Sequence, residues 1–230
     1  KTLLAFSCFE PFLYFILETY GLKHSDPSVV SIIIATIPMF VAFLSIYYFK
    51  ENFTKINLLG VFISFIGILV MLLPSIHDEA FSSLGIACAF GAVLSAVGYS
   101  FFIRKFPSNY NPVVVITYQN IIGVVLFTPL FFLINDTASI QMQLIHLYNI
   151  KTAIYVLILA IFCSSVAFIF YLKGIRYFGI GKANVFTNLI PVVTAVLSFF
   201  LVGESFPIYK VIGILIVICG IFLVQKKTTK

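Results

Sequence analysis

Glu10 is the residue in this 230-residue chain with the most chemistry to offer. It stands near the middle of a long apolar run, with Ser7, Tyr14 and Glu18 at spacings of three and four, so the four side chains share one face of a helix. A carboxylate at that depth of a bilayer costs at least about 2.5–3.5 kcal/mol, and such groups turn to cavities and partners rather than to lipid. Two functional roles suit it: contact with the amine of a substrate, or exchange of a proton coupled to substrate movement. The plainer alternative is a protonated side chain hydrogen-bonded within the bundle. Pro11 removes a backbone donor and leaves the Ser7 carbonyl as a further acceptor nearby. Glu18 lies toward the end of the run, where hydration alone could account for it.

A second polar face is Asn184, Thr187, Asn188 and Pro191, extended by Ala195 and Ser198. Pro191 cannot bond the Thr187 carbonyl, and Pro38 does the same to Ile34, beside Ser31 and Ala35. Paired proline interruptions in corresponding helices point to a binding site, although kinks that let small residues pack would leave the same trace. Tyr99 ends a row of small residues, Gly85, Ala89, Ala92 and Ser95, which reads as a helix-packing face; its buried hydroxyl needs a partner. Gln119, Asn120, Ser164 and Ser165 are further polar points. The expected binding set is therefore Glu10, Tyr14, Ser31, Tyr99, Ser165, Asn184, Thr187 and Asn188, with Pro38 and Pro191 as helix breaks. Glu51 and Glu204 sit where one helix ends and the next begins and read as structural, since a carboxylate near a helix N-terminus gains about 0.3–1 kcal/mol.

Little else in the chain could do chemistry. Cys8, Cys88, Cys163 and Cys219 lie inside apolar runs with no CxxC spacing and read as buried small hydrophobes. His24, His77 and His146 fall in polar breaks. There is no GxxxxGK[ST] run and no GxGxxG after a strand. No catalytic group, metal or cofactor is expected.

The elements that must position these residues are membrane helices. The chain is 61% hydrophobic and 10% charged, against roughly 25% charged in a soluble domain. Its mean hydropathy is +1.13. A spanning helix needs about 20 mostly apolar residues. Eight runs qualify, at about 2–20, 28–48, 56–74, 83–103, 112–134, 152–172, 182–202 and 208–225, all too long for barrel strands. The longest break, 135–151, carries Ile140, Leu144 and Leu147 on one helical face and suits a short interfacial turn. With eight spans, one side holds Lys1, Lys50, Lys55, Arg104, Lys105, Lys173, Arg176, Lys182, Lys226, Lys227 and Lys230, and the other Lys23, Lys151 and Lys210. That asymmetry places both termini in the cytoplasm and accounts for the net charge of +6 without nucleic acid.

The chain also repeats itself at an offset of 153 residues. Ile37-Pro38 meets Ile190-Pro191, Glu51 meets Glu204, Gly21 meets Gly174, Gly60 meets Gly213 and Gly67 meets Gly220. Runs one to three thus correspond to runs six to eight. An offset of five helices is odd, so the two copies lie inverted in the membrane, a recurrent plan of secondary transporters. The second copy has five helices (83–225) and the first only three (1–74). The chain opens on Lys1-Thr2 at the edge of a helix, so a fragment lacking two N-terminal helices is expected.

Two stretches, Gly21 to Leu72 and Lys173 to Val224, share a glycine turn, a helix with a central proline, a glutamate at its far end and a glycine-spaced helix. This pattern resembles the EamA domain of the drug/metabolite transporter superfamily. The resemblance implies ten helices in two inverted five-helix halves and export or exchange of small polar metabolites or drugs by alternating access. It implies no particular substrate. The expectation is an all-α integral membrane protein, a proton-coupled or uncoupled secondary transporter in a plasma membrane such as the bacterial inner membrane. Its partners would be a small-molecule substrate and the lipid bilayer, with a homodimer admitted. A nucleotide-sugar or phosphate-ester transporter is the nearest alternative, though no basic residue lies at mid-depth. An intramembrane enzyme or a non-transporting receptor is the alternative from another class.

Overall fold

The computed structural model describes residues 2–72, 74, 82–135, 142, 149–203 and 207–226. Among the described residues are eight helices long and apolar enough to cross a membrane, and no strand. They are α1 (Thr2–His24), α2 (Pro27–Tyr47), α3 (Lys55–Leu72), α4 (Ser83–Lys105), α5 (Pro112–Ile134), α6 (Ile150–Phe178), α7 (Ile180–Leu201) and α8 (Ile208–Gln225). In hydrocarbon every backbone polar group must be satisfied from within, which leaves helices as the form open to such runs. The interfacial turn expected over 135–151 falls largely outside the described residues, and Glu204 lies wholly outside them.

Several helices begin where side chains take the first free N–H groups. Asp26 Oδ1 accepts from Ser28 N at 2.6 Å with Pro27 at the first position, and Asn111 Oδ1 accepts from Val113 N at 2.9 Å ahead of Pro112. Asn149 Oδ1 does the same for Lys151 N at 3.0 Å. At α3, Thr54 and Asn57 cap each other: Thr54 N donates to Asn57 Oδ1 at 3.0 Å and Asn57 N to Thr54 Oγ1 at 3.1 Å.

Two packed centres hold the bundle. One surrounds α4 and includes Phe6, Val93, Tyr99, Ile103, Ile116, Leu172 and Ile175. The other lies between α3 and α8, the most extensive helix contact in the molecule, with Val61, Ile68, Met71, Val217, Ile221 and Val224. There the glycines interlock backbone to backbone. A Cβ on Gly60 would stand 2.6 Å from Gly220 O, one on Gly220 2.7 Å from Gly60 O, and one on Gly67 2.6 Å from Val217 N. Such direct approach is what small residues at membrane helix interfaces permit.

The rest of the apolar surface faces outward. In α6, no residue from Ile150 to Tyr171 is buried. The cysteines depart from expectation: Cys163 and Cys219 are exposed, and Cys8 and Cys88 half-buried. A thiol gains little by burial here, because lipid tails are as apolar as a protein core.

Candidate functional site

The site begins with a break in α1. Regular helix runs from Thr2 to Ser7, widens into a π-type turn over Cys8–Leu13, and resumes at Tyr14. Glu10 leaves helical geometry altogether (φ −142°, ψ 124°), and its peptide to Pro11 is cis. Neighbouring helices fill and repair the break. Phe9 lies over Gly98 of α4, where a Cβ would meet its ring at 2.7 Å, and Pro11 lies over Gly123 of α5, where a Cβ would meet Pro11 Cγ at 2.9 Å. Ser95 Oγ donates to Phe9 O at 2.7 Å, and Gln119 Nε2 donates to Glu10 O at 3.2 Å. Gln119 Oε1 in turn accepts from Tyr99 OH at 3.5 Å, which answers the need of that buried hydroxyl. These side chains reach the carbonyls of Phe9 and Glu10, and none of the described side chains reaches that of Ser7.

The two proline helices break in register. In α2, Thr36 N bonds back to Ile33 O at 3.0 Å, and Thr36 Oγ1 reaches the same carbonyl at 2.6 Å. In α7 the chain tightens into a 3-10 turn over Val185–Asn188, just ahead of Pro191. A proline at the head of the following segment cannot donate to the preceding turn, so the turn closes with shorter bonds.

Between these breaks lies a cavity of about 740 Å³. Glu10, Tyr14, Ser31, Tyr99, Asn184, Thr187, Asn188 and Pro191 all line it. Residues 153 apart line it in pairs: Ser31 and Asn184, Ile34 and Thr187, Ala35 and Asn188. Ser165 stands apart, its Oγ accepting from Asn120 Nδ2 at 3.2 Å and donating to Ala160 O at 3.3 Å. Pro38 is buried in α2 and shapes the wall without lining it.

Lining residues that helical spacing does not single out include Ser100, Phe168, Tyr171, Thr194 and Met71. Tyr171 had a signal: at the 153 offset it is the mate of Glu18, which also lines the cavity. Asn184 Nδ2 donates to Tyr171 OH at 2.6 Å, Tyr14 OH donates to Glu18 Oε1 at 3.1 Å, and Asn188 Nδ2 donates to Ser64 Oγ at 2.9 Å. The Glu10 carboxylate has no hydrogen bond or ion pair with any described residue. Lys210 is the single cation among the described lining residues, at the helix ends that also hold Pro27, Ser28 and Leu72.

The cavity reaches toward the α1–α2 turn, and the opposite end is shut. There Glu51, just past α2, accepts from Ile180 N at 2.9 Å and Gly181 N at 3.2 Å, the first N–H groups of α7, and from Arg104 Nε of α4 at 3.3 Å. Gly179 makes this possible. Its φ is +86°, and a Cβ there would stand 2.7 Å from the Glu51 carboxyl group. Glu51 was expected beside a helix N-terminus; the helix is α7, because the Thr54–Asn57 pair already caps the adjacent α3. Arg176 and Lys182 border a recess of about 340 Å³ beside this closure, and Arg176 Nη1 donates to Tyr110 O at 2.7 Å.

Comparison with known proteins follows the same lines. The model of the EamA-like transporter family matches residues 1–73 and 83–225. The uncharacterized transporter YyaM of Bacillus subtilis (strain 168) is 29% identical over 207 residues, covering 87% of this chain and 65% of that protein. YetK of the same organism, also an uncharacterized transporter, is 25% identical over 94% of this chain and 66% of its own length. An uncharacterized transporter of Archaeoglobus fulgidus is 26% identical, covering 97% of this chain and 76% of that protein. The chain thus spans just under two thirds of the length of the two Bacillus relatives. A solved crystal structure superposes with a TM-score of 0.80 at 16% identity, over 96% of this chain and 74% of that one, a likeness of fold alone.

Proposed function

Because the chain belongs to the EamA-like transporter family, we propose that its cavity is the binding site of a secondary transporter that carries small amine-bearing metabolites or drugs by alternating access. The observation that carries this reading is the Glu10 carboxylate, unpaired among the described residues, at a helix break inside a cavity within the membrane span. A carboxyl group at that depth turns to a cavity and a partner, and a protonated amine is the partner such a wall suits. Aromatic and apolar side chains, among them Tyr14, Phe168, Ile68 and Met71, would hold the body of the molecule. Phosphate esters suit the wall poorly, since the described lining residues include two carboxylates, Glu10 and Glu18, against one lysine.

In the cycle we favour, the α3–α8 interlock is the rigid frame, and the Glu51 closure alternates with an opening at that end. A proton and a cationic substrate compete for Glu10, so each binds after the other leaves. The protein then sits in a plasma membrane, with the Glu51 end toward the cytoplasm by the distribution of Lys and Arg.

The test is uptake of a radiolabelled amine by proteoliposomes holding the full-length protein under an imposed pH gradient. Glu10→Gln keeps the shape and mimics the protonated side chain. It should abolish gradient-driven uptake while the protein remains inserted and monodisperse. Normal uptake with an unchanged pH profile would rule out the Glu10 carboxylate as the site of proton or amine exchange.

A further inference from the structure

We propose that the recess beside the Glu51 closure is an anion site, separate from the main cavity, that holds a phosphate group supplied by a lipid headgroup or by free phosphate. The inference does not depend on what the main cavity carries.

The end of α4, the end of α6 and the start of α7 bring three cations, Arg104, Arg176 and Lys182, to the border of this one recess of about 340 Å³. That volume lies within the range of small-ligand pockets. Glu51 is the one carboxylate among the described lining residues, and its two oxygens already accept from Ile180 N, Gly181 N and Arg104 Nε. Among the described residues, no carboxylate pairs with Arg176 or Lys182, although both are half-buried. Arg176 commits one N–H, to Tyr110 O at 2.7 Å. Lys182 Nζ stands 6.0 Å from the centre of the Phe53 ring and donates to no described residue. The recess thus holds an excess of positive charge that its own carboxylate cannot answer.

Like charges gathered in a concave wall focus their field and draw in a counter-ion. Phosphate matches the donors on offer. A guanidinium fork meets two phosphate oxygens at once, and an ammonium adds a point charge beside them. Basic pockets between helix ends at a membrane surface take lipid headgroups in this way. The rim extends the match. Tyr177 and Phe178 border the recess and are exposed, and Phe178 leads on to Phe186, also exposed, with ring centres 6.1 Å apart. Acyl chains could lie along that row, whereas free phosphate would leave it unused.

The experiment uses the full-length protein in a nonionic detergent. The probes are dioctanoyl phosphatidylglycerol, dioctanoyl phosphatidylcholine as its control, and sodium phosphate against sodium chloride of equal ionic strength. Bound lipid is counted by native mass spectrometry and bound phosphate by titration calorimetry. Phosphatidylglycerol should bind saturably and at least about fivefold tighter than phosphatidylcholine, a factor worth about 1 kcal/mol. Lys182→Gln should remove that preference, and Arg176→Gln should weaken it. Lys182→Arg should keep it, and so should Lys55→Gln, which removes a charge from the same end of the bundle but outside the recess. The probe that shows this dependence on Lys182 names the source: the lipid alone, a headgroup site; phosphate, with or without the lipid, a site that the phosphate group fills by itself. Neither anion binding above its control would overturn the proposal. So would anion binding that Lys182→Gln weakens no more than Lys55→Gln does.

Discussion

Single residues carry this site because each apolar helix has few polar atoms to spend. Gln119 shows how tightly they are committed: one side chain takes the Glu10 carbonyl and the Tyr99 hydroxyl together. Gln119→Leu should therefore strand two buried groups, at about 1–3 kcal/mol for each group left unpaired. A drop in the thermal unfolding midpoint of the purified protein, larger than that of a lipid-facing control such as Thr128→Val, would check this. Glu10 and Asn184 were legible in the sequence because a carboxylate and an amide stand out in a run of Leu, Ile and Phe. Tyr171 was not, since the chain has 12 tyrosines and a phenol suits a membrane interface as readily as a cavity. Its role depends on which way its helix turns, and hydropathy is silent on that.

At the scale of helices, the α3–α8 contact is set by the absence of side chains. Gly220→Ala would drive a methyl group against Gly60 O and the Ser64 backbone, neither of which can swing aside. Overpacking of this kind costs typically about 1–3 kcal/mol, and the substitution should lower the unfolding midpoint accordingly. Gly174→Ala is the control: its added Cβ would meet only Ala183 Cβ, at 3.9 Å, and stability should hold. The eight helices themselves were readable, because length and apolarity are properties of a run. Their ends were less so. α6 continues to Phe178, past Lys173 and Arg176, since hydropathy reports the bilayer while the helix follows its own hydrogen bonds. The break at Glu10 was half legible: Pro11 announces a lost donor, but the groups that repair it come from α4 and α5, more than 80 residues away in the chain.

In the molecule as a whole, a single carboxylate ties the end of α2 to α4 and to the start of α7. Glu51→Gln would keep the shape and weaken all three bonds, since charge-assisted hydrogen bonds are roughly twice as strong as neutral ones. If that end must open in each cycle, the variant should spend more time open. A single cysteine at Phe53, in a background free of the four native ones, should then react faster with a thiol reagent added on that side.

The same closure has an electrical side. The N-terminus of α7 behaves as roughly half a positive charge, and Glu51 is its counterion. Drawing them apart creates a dipole where none was exposed, so the step is sensitive to the ions around it. Electrolyte shortens the reach of such forces from about 30 Å at 0.01 M to about 3 Å at 1 M. Salt added to the Glu51 face alone should thus speed the exposure of the Phe53 position, while the same salt on the other face leaves it unchanged. In Glu51→Gln the dependence should fade, because the uncharged amide leaves the ions little to screen.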